Sequence, residues 1–327
     1  WRTGHSPSAR TSALRHLLDI FTLRRCLYGP PDRKALIRYL SHSEIDKERW
    51  DACIAGSLNA LPYAYSHYLD VVTGNCWDAL ILDEYAAVFP LPVRKKWGFR
   101  AVFQPFFCQQ LGLFVTDAAQ YDLLPEFLRA IPKRFIRVYV QLNTRNSLPA
   151  ADHRVTYQIP LQRDYASIAE QYGTIVRKNM KRIGNMELTH ESSPDVPTFL
   201  RFLKENLGDK LSDLGPKDMH MLQALLQMLL ERKEGFIRYA LDESGQRQGA
   251  VFLVHSHGML IYLLAAHTPA GKKKSVMTYL IDSVLQEYAE KEKLFDFEGS
   301  MIPGIARFYS NFGAREVKFP VFRKGIV

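Results

Sequence analysis

Two carboxylates stand in a setting that suits proton transfer. In Leu294-Phe295-Asp296-Phe297-Glu298-Gly299 the acids alternate with phenylalanines. A strand over these residues points Asp296 and Glu298 to one sheet face and both rings to the other. Two carboxylates that close push one pKa upward, which suits a base working near neutral pH. The structural alternative is a hydrogen-bonded Asp296 and a Glu298 that caps the turn at Ser300. His267, at the end of the run that begins at Met259, is a further candidate as base or donor contact, against a purely structural role. His255 and His257 stand at i, i+2 beside Gly258. They lack a third ligand nearby, so a hairpin end explains them and no metal is expected.

Cations supply the second kind of chemistry. Gly271-Lys272-Lys273-Lys274-Ser275 places three lysines at a helix start, where positive charge opposes the helix dipole. An anionic partner would relieve that opposition; a solvated charge run is the alternative. Arg177, Lys178, Lys181 and Arg182 form two i, i+4 basic pairs, which either meet phosphate groups or face water. Arg94-Lys95-Lys96-Trp97-Gly98-Phe99-Arg100 interleaves charge with aromatics as nucleic-acid surfaces do. A hairpin turn at Gly98 explains the same letters, and Trp97 and Phe99 could instead face an acyl chain or a membrane surface.

The elements that must carry these residues follow from hydrophobic period and turn chemistry. Ile37–Leu40 reads as a strand, followed by a helix capped by Ser43 with Ile45, Trp50, Cys53, Ile54 and Leu58 on one stripe. Asp78–Glu84 and Ala86–Pro92 form a hairpin, Val93–Arg100 a basic turn, and Ala101–Val115 more strand. A helix over Tyr121–Ile131 leads to a strand over Phe135–Leu142. After the Asn/Ser/Pro-rich stretch Asn143–His153, a strand (Val155–Leu161) and a helix (Tyr165–Ile183) open a second unit. Then come a strand (Met186–His190), helices over Pro197–Leu207 and Asp218–Arg232, and a meander of Gly235–Leu241, Gly249–His255 and Met259–Ala266. A long helix (Lys274–Lys291), the strand Leu294–Phe297, a short helix (Ile305–Asn311) and a last strand pair within Glu316–Phe322 complete it. Both halves run helix, antiparallel strands, helix, strand.

Composition bounds the function classes. In 327 residues, 47% hydrophobic and 24% charged content is globular and excludes a disordered or collagen-like chain. The formal charge is +9, but residues 1–36 hold seven basic and two acidic side chains, so the body is only mildly basic and no stable nucleic-acid partner is expected. Ser12–Tyr28 within that segment reads as a basic amphipathic helix, a membrane-surface anchor or targeting peptide, or else a poorly packed extension. Four scattered cysteines without a CxxC pair point to a reducing, cytoplasmic compartment. No apolar run reaches the roughly 18 residues of a membrane span.

The order of elements in 186–322 resembles the GNAT acyltransferase fold. Ala306-Arg307-Phe308-Tyr309-Ser310-Asn311-Phe312-Gly313 is similar to the A-x-x-F-Y-x-x-x-G helix that follows the fifth strand in that family. Leu294–Gly299 with Gly304 and Phe312-Gly313, and the basic helix containing Val176–Arg182, resemble the FemAB-like branch. The resemblance implies an α+β fold of two tandem GNAT-like domains with mixed, mostly antiparallel sheets flanked by helices: 37–153, and 154–327 carrying the active site. It implies acyl transfer from acetyl-CoA or another acyl-CoA to an amine by direct attack. The oxyanion would be held by backbone N–H groups around Ala265, Ala266 and His267. The CoA phosphates would lie at Gly271, Lys272, Lys273, Lys274 and Ser275, where one glycine and three lysines replace the family's glycine-rich turn. Tyr309 would protonate the leaving thiolate, and Glu298, Asp296 or His267 would serve as base. The acceptor would be an amine-bearing small molecule, lipid or cell-wall precursor, with possible peripheral membrane contact. Two other functions share the fold: aminoacyl transfer from charged tRNA, although Tyr309 stands where those enzymes carry a lysine, and a non-catalytic binding protein.

Overall fold

The computed structural model describes residues 36–96, 98–149, 151–208, 214–299 and 301–325; the expected helix over Ser12–Tyr28, Trp97 and Ser300 lie outside them. Residues from Ile37 onward form one compact unit. Its elements are β1 (Ile37–Leu40), α1 (Lys47–Gly56), α2 (Ser66–Thr73), β2 (Trp77–Leu82), β3 (Ala87–Lys96), β4 (Phe99–Val102), β5 (Phe114–Val115), α3 (Leu124–Ala130) and β6 (Phe135–Gln141). They continue with β7 (Asp152–Pro160), α4 (Tyr165–Ala169), α5 (Thr174–Ile183), β8 (Thr189–Ser192), α6 (Val196–Leu207), α7 (Pro216–Glu231), β9 (Gly235–Leu241), β10 (Arg247–Ser256) and β11 (Met259–His267). The last are α8 (Pro269–Lys274), α9 (Val276–Tyr288), β12 (Leu294–Asp296), α10 (Pro303–Ser310) and β13 (Arg315–Gly325).

The strands join in one mixed sheet, ordered β1-β2-β3-β4-β6-β13-β7-β12-β11-β10-β9-β8, with β5 pairing β3. Each half contains one parallel pair reached by a helical crossover, β4 with β6 and β11 with β12. The halves then exchange their closing strands. β7, which follows β6 in sequence, lies beside β12, and β13, which follows β12, lies between β6 and β7. Sheet hydrogen bonds therefore run unbroken across the 153/154 position. One apolar cluster joins the first half to α6, α7 and one face of β9–β11; the other packs α4, α5, α9 and α10 on the opposite face.

Several local expectations need correction. The α1 cap is Asp46, whose carboxylate accepts from Arg49 N at 3.1 Å, while Ser41 and Glu44 form a capping box one turn earlier. Leu58 falls beyond the helix and is exposed. β3 runs straight through Val93–Lys96, so the basic turn is confined to the residues after it, and Ala101–Val115 is mostly loop. The Glu316–Phe322 pair is one continuous strand because β6 and β7 flank it on both sides. The helix expected over Tyr165–Ile183 breaks before Gly173, whose N–H donates to Asn311 O at 2.7 Å. A Cβ there would stand 2.6 Å from the Asn311 side chain, so glycine lets α10 close on α5. Lys274–Lys291 is likewise two helices, split at a left-handed Ser275.

Candidate functional site

The site begins where two strands part. β11 and β12 pair only from Met259↔Leu294 to Ile261↔Asp296. Against β10 the register of β11 slips between Leu253↔Tyr262 and Phe252↔Leu264, leaving Leu263 as an extra residue. Such a bulge bends its strand. β12 stops because Glu298 and Gly299 both adopt positive φ, +57° and +64°. At Gly299 a Cβ would meet Val155 O at 2.1 Å, so the chain can fold down on β7 only with glycine there. The wedge between the diverging strands thus ends at a carboxylate.

Asp296 is buried and fully occupied. It accepts from the Thr156 hydroxyl, from Gln158 Nε2 at 2.7 Å and from Glu298 N at 2.8 Å; burial raises its pKa against those three donors. Glu298 differs. Among the described residues its one side-chain donor is the Tyr63 hydroxyl, from the short turn Pro62–Ala64 of the other half of the chain. Burial pushes Glu298 up to about 8, the Asp296 charge adds to the rise, and the Tyr63 hydrogen bond opposes it. Its residue still touches solvent along a hollow of about 420 Å³ lined in part by Gln104, Phe106, Tyr139 and Arg154. Asp296 and Tyr63 face a second cavity of about 570 Å³, whose floor includes Gln158, Pro160, Met259, Ile261 and Leu294. These floor residues are cross-strand partners of β7, β12 and β11 on one sheet face.

Tyr309 stacks on Phe297 at 4.3 Å between centroids and meets Tyr262 edge-on at 6.2 Å. Burial lifts its phenol above the ordinary range, and the Glu298 charge lifts it further. That coupling puts the phenol and the carboxylate within electrostatic reach. The structure therefore sets Asp296 and Glu298 side by side, with Tyr309 stacked on the Phe297 ring that separates them in sequence. It leaves His267 apart, six residues beyond Ile261 and roughly 20 Å along the strand, with Nδ1 3.1 Å from Thr268 O. Ala265 and Ala266 lie on β11 beyond the bulge, opposite Val251 and Ala250.

The lysine turn is α8. The Thr268 hydroxyl accepts from Gly271 N at 2.8 Å and its carbonyl from Lys272 N at 2.9 Å, so these first-turn amides are already taken. Gly271 presses on β10: a Cβ would stand 2.1 Å from Gln248 O. Lys274 Nζ pairs with Glu243 at 2.8 Å and Asp242 at 3.3 Å. Lys272 and Lys273 are exposed and, among the described residues, outside any ion pair. Arg182 of the basic helix donates to the Ser275 hydroxyl, and Asn179 Nδ2 donates to Thr278 Oγ1 at 3.0 Å, tying α5 to the start of α9. On α8 the lysines left for a phosphate are thus Lys272 and Lys273, with Arg182 held beside them by Ser275.

Sequence reasoning missed Tyr63 because 235 positions separate it from Glu298 and no motif marks it. It also missed Cys108, a buried thiol that feels the Glu298 charge; burial pushes its pKa up, which removes it as a nucleophile near neutral pH. His255 pairs with Glu292 at 2.7 Å and His257 with the Tyr65 hydroxyl at 2.7 Å. No metal-binding group of His, Cys, Asp and Glu exists among the described residues. No described helix is long and apolar enough to cross a membrane.

Residues 174–303 match the family described as "Acetyltransferase (GNAT) domain". No curated protein matches the chain in sequence. Among solved structures, FemX is similar at 11% identity with a TM-score of 0.65, covering 88% of this chain and 97% of that one. The C-terminal domain of a protein from Agrobacterium fabrum described as a lysylphosphatidylglycerol synthetase is similar at 13% identity and TM-score 0.52, covering 86% and 92%. A conserved protein of unknown function from Bacteroides thetaiotaomicron is similar at 11% and TM-score 0.52, covering 88% and 100%. Residues 174–303 are thus similar to a GNAT acetyltransferase domain, and the chain as a whole shares the fold of FemX.

Proposed function

We propose that the chain transfers an acyl group from a CoA thioester to an amine by direct attack in a ternary complex. The observation that supports this most is Glu298, a carboxylate lifted to about 8 at the end of the wedge between β11 and β12 of the GNAT domain. A carboxylate with that pKa takes a proton from an alkylammonium efficiently at neutral to mildly basic pH. Glu298 removes one proton from the acceptor's ammonium and passes it to solvent. The nitrogen then attacks the thioester carbon, the C–N bond forms and the C–S bond breaks. Tyr309 gives its proton to the departing sulfur and is reprotonated by the proton the nitrogen loses on becoming an amide. Backbone N–H groups of β11 past the Leu263 bulge face the developing oxyanion in this scheme. Lys272, Lys273 and Arg182 would hold the donor's phosphates; Lys274, tied to Asp242 and Glu243, would contribute to the turn's shape instead.

One observation favours a second reading. The first-turn amides of α8 that a glycine-rich turn would offer to a pyrophosphate are bonded to Thr268, which suits a donor held by side-chain cations, such as an aminoacyl ester on tRNA.

A thermal-shift series with CoA, acetyl-CoA, a long-chain acyl-CoA and aminoacyl-tRNA separates the donors. At about 100 times Kd a ligand of the native state adds about 2.7 kcal/mol, a shift of a few degrees for a protein this size. A shift with a CoA thioester that persists after RNase treatment supports the first reading. A response confined to aminoacyl-tRNA overturns it in favour of the second.

A further inference from the structure

The cavity of about 570 Å³ takes no part in the scheme above, although it begins at the apex of the wedge. Ile261 and Asp296, the last registered pair before β11 and β12 separate, both line it. Tyr63 lines it too, and the Tyr63 hydroxyl donates to Glu298, which lines the 420 Å³ hollow. Tyr309 stands across the sheet. It belongs to the apolar cluster of Phe295 and Phe297, whereas Ile261 belongs to the cluster on the other face. That division sorts the substituents of the reacting carbon. In the proposed scheme sulfur leaves toward Tyr309, nitrogen arrives from the Glu298 side and the oxyanion turns to β11. The acyl chain takes the remaining direction, past Ile261 and Asp296 into the cavity, whose volume is that of an ordinary small-ligand pocket.

The cavity walls are of two kinds. Near the wedge they are apolar, with Leu61, Met259, Ile261 and Leu294. The buried amides of the lining are already paired. Asn59 Nδ2 donates to Leu113 O at 2.8 Å and to Asn143 Oδ1 at 3.1 Å, Asn143 Nδ2 donates to Leu111 O at 3.1 Å, and Gln110 Oε1 accepts from Thr144 N at 3.0 Å. Asp296, the acid of the lining, is saturated by its three donors. What remains is cationic. Lys293, and Arg145 from the loop after β6, line the cavity and form no ion pair among the described residues. The Lys293 stem lies along Gly258, where a Cβ would stand 3.1 Å from it, so glycine lets the stem cross the hairpin turn. His257, beside it in the lining, has its pKa lowered by burial and then by the Lys293 charge. A neutral imidazole and an unpaired ammonium therefore close the end away from the wedge. Aliphatic walls at one end and unpaired cations at the other match a carbon chain tipped with a carboxylate, which forms charge-assisted hydrogen bonds with both cations.

We infer that this cavity takes a short carbon chain ending in a carboxylate, and that this chain is the acyl group of the donor, a half-thioester of a dicarboxylic acid. Lys293 precedes Asp296 by three strand residues, roughly 10 Å, which a chain of about four to eight carbons spans together with the reach of the lysine. The carboxylate preference belongs to the walls alone; only the acyl role rests on the proposed acyl transfer.

The test is calorimetry on the full chain, comparing adipyl-CoA with hexanoyl-CoA, suberyl-CoA with octanoyl-CoA, and both pairs with free CoA. At least one dicarboxylic thioester should bind about tenfold or more tighter than its partner of equal length. Lys293→Met should remove that preference and leave the affinity for free CoA unchanged, and Arg145→Met should reduce it. Lys291→Met, exposed and outside the lining, should change nothing. Free suberate probes the cavity without CoA. In protein labelled at the methionine methyls it should shift the Met259 resonance, assigned with Met259→Leu, and Lys293→Met should abolish the shift. Equal affinity within both pairs, or a preference that survives both cation variants, overturns the inference and leaves CoA as donor. If no thioester binds but suberate still shifts Met259, the CoA donor and the acyl role are overturned and the carboxylate site is supported. Neither thioester binding nor a suberate shift overturns both claims.

Discussion

Two carboxylate corners of this molecule, one after β9 and one after β12, are built in opposite ways. Asp242, in the turn between β9 and β10, accepts from Ser244 N and Oγ, Gln246 N, Gln248 Nε2 and Lys274 Nζ. The Ser244 hydroxyl leads the effects that hold it below the usual carboxylate range. Among the described residues Glu298 accepts from one phenol, next to a second carboxylate, and burial drives it up. In the sequence both look like acids beside a strand end. The lesson is that donor supply, not charge count, separates a structural acid from one that can hold a proton near neutral pH. The same contrast sorts the lysines: Lys274 is spent on the first corner, and Lys272 and Lys273 are free for a ligand.

The largest test of the contrast is Glu298→Gln. It should lower kcat/KM by about 10²–10⁴ at pH 8 and abolish the basic limb that otherwise rises to a plateau above about pH 8. Its stability should move the other way. The native carboxyl keeps its proton where the unfolded one has lost it, so wild-type stability falls as pH rises from about 4.5 to about 8 and is flat above. The variant lacks that loss, and its denaturant midpoint should gain on wild type across this window. Tyr309→Phe keeps the stack on Phe297 and should cost about 10–100-fold in kcat, measured with a thioester donor.

Two smaller changes should move the pH limb in opposite directions. Tyr63→Phe removes the hydrogen bond that holds the Glu298 pKa down, so the rise in kcat/KM should shift to higher pH. Asp296→Asn removes the neighbouring charge that holds it up, so the rise should shift to lower pH. A shift of both in the same direction would contradict the coupling. Asp296→Asn should also cost about 1–3 kcal/mol in urea unfolding, because its amide N–H meets a donor that Asp296 now accepts. The smallest effect belongs to the other corner. Lys274→Ala should leave donor KM unchanged and move the denaturant midpoint little, because solvent screens its ion pairs, whereas Lys272→Ala with Lys273→Ala should raise donor KM severalfold.

How much of this could be read from the letters follows the range of the interactions. The alternation Phe295-Asp296-Phe297 was legible because strand period is local, but Glu298 lies past the end of β12 at a positive φ that no period shows. The helix Pro303–Ser310 and the three-strand meander were equally plain from turn residues and apolar period. The breaks at Gly173 and Ser275 were not; at Gly173 the partner is the carbonyl of Asn311, just after α10, which comes from a distant segment. Tyr63 and the exchange of β7 and β13 between the halves are long-range in the same sense. Gly271 looked like the remnant of a phosphate turn; its lack of a side chain answers to Gln248 O, a packing demand with no trace at position 271 itself.

The account turns on a single ionisation, and it can be watched directly. Carbon-13 spectra of protein labelled at the glutamate carboxyl, followed from pH 4 to pH 10 with Glu298→Gln for assignment, should show one resonance titrating near 8 that the variant lacks. A Glu298 resonance that titrates near 4.5, with the other carboxylates, would contradict the proposed base and with it the distinction between the two corners.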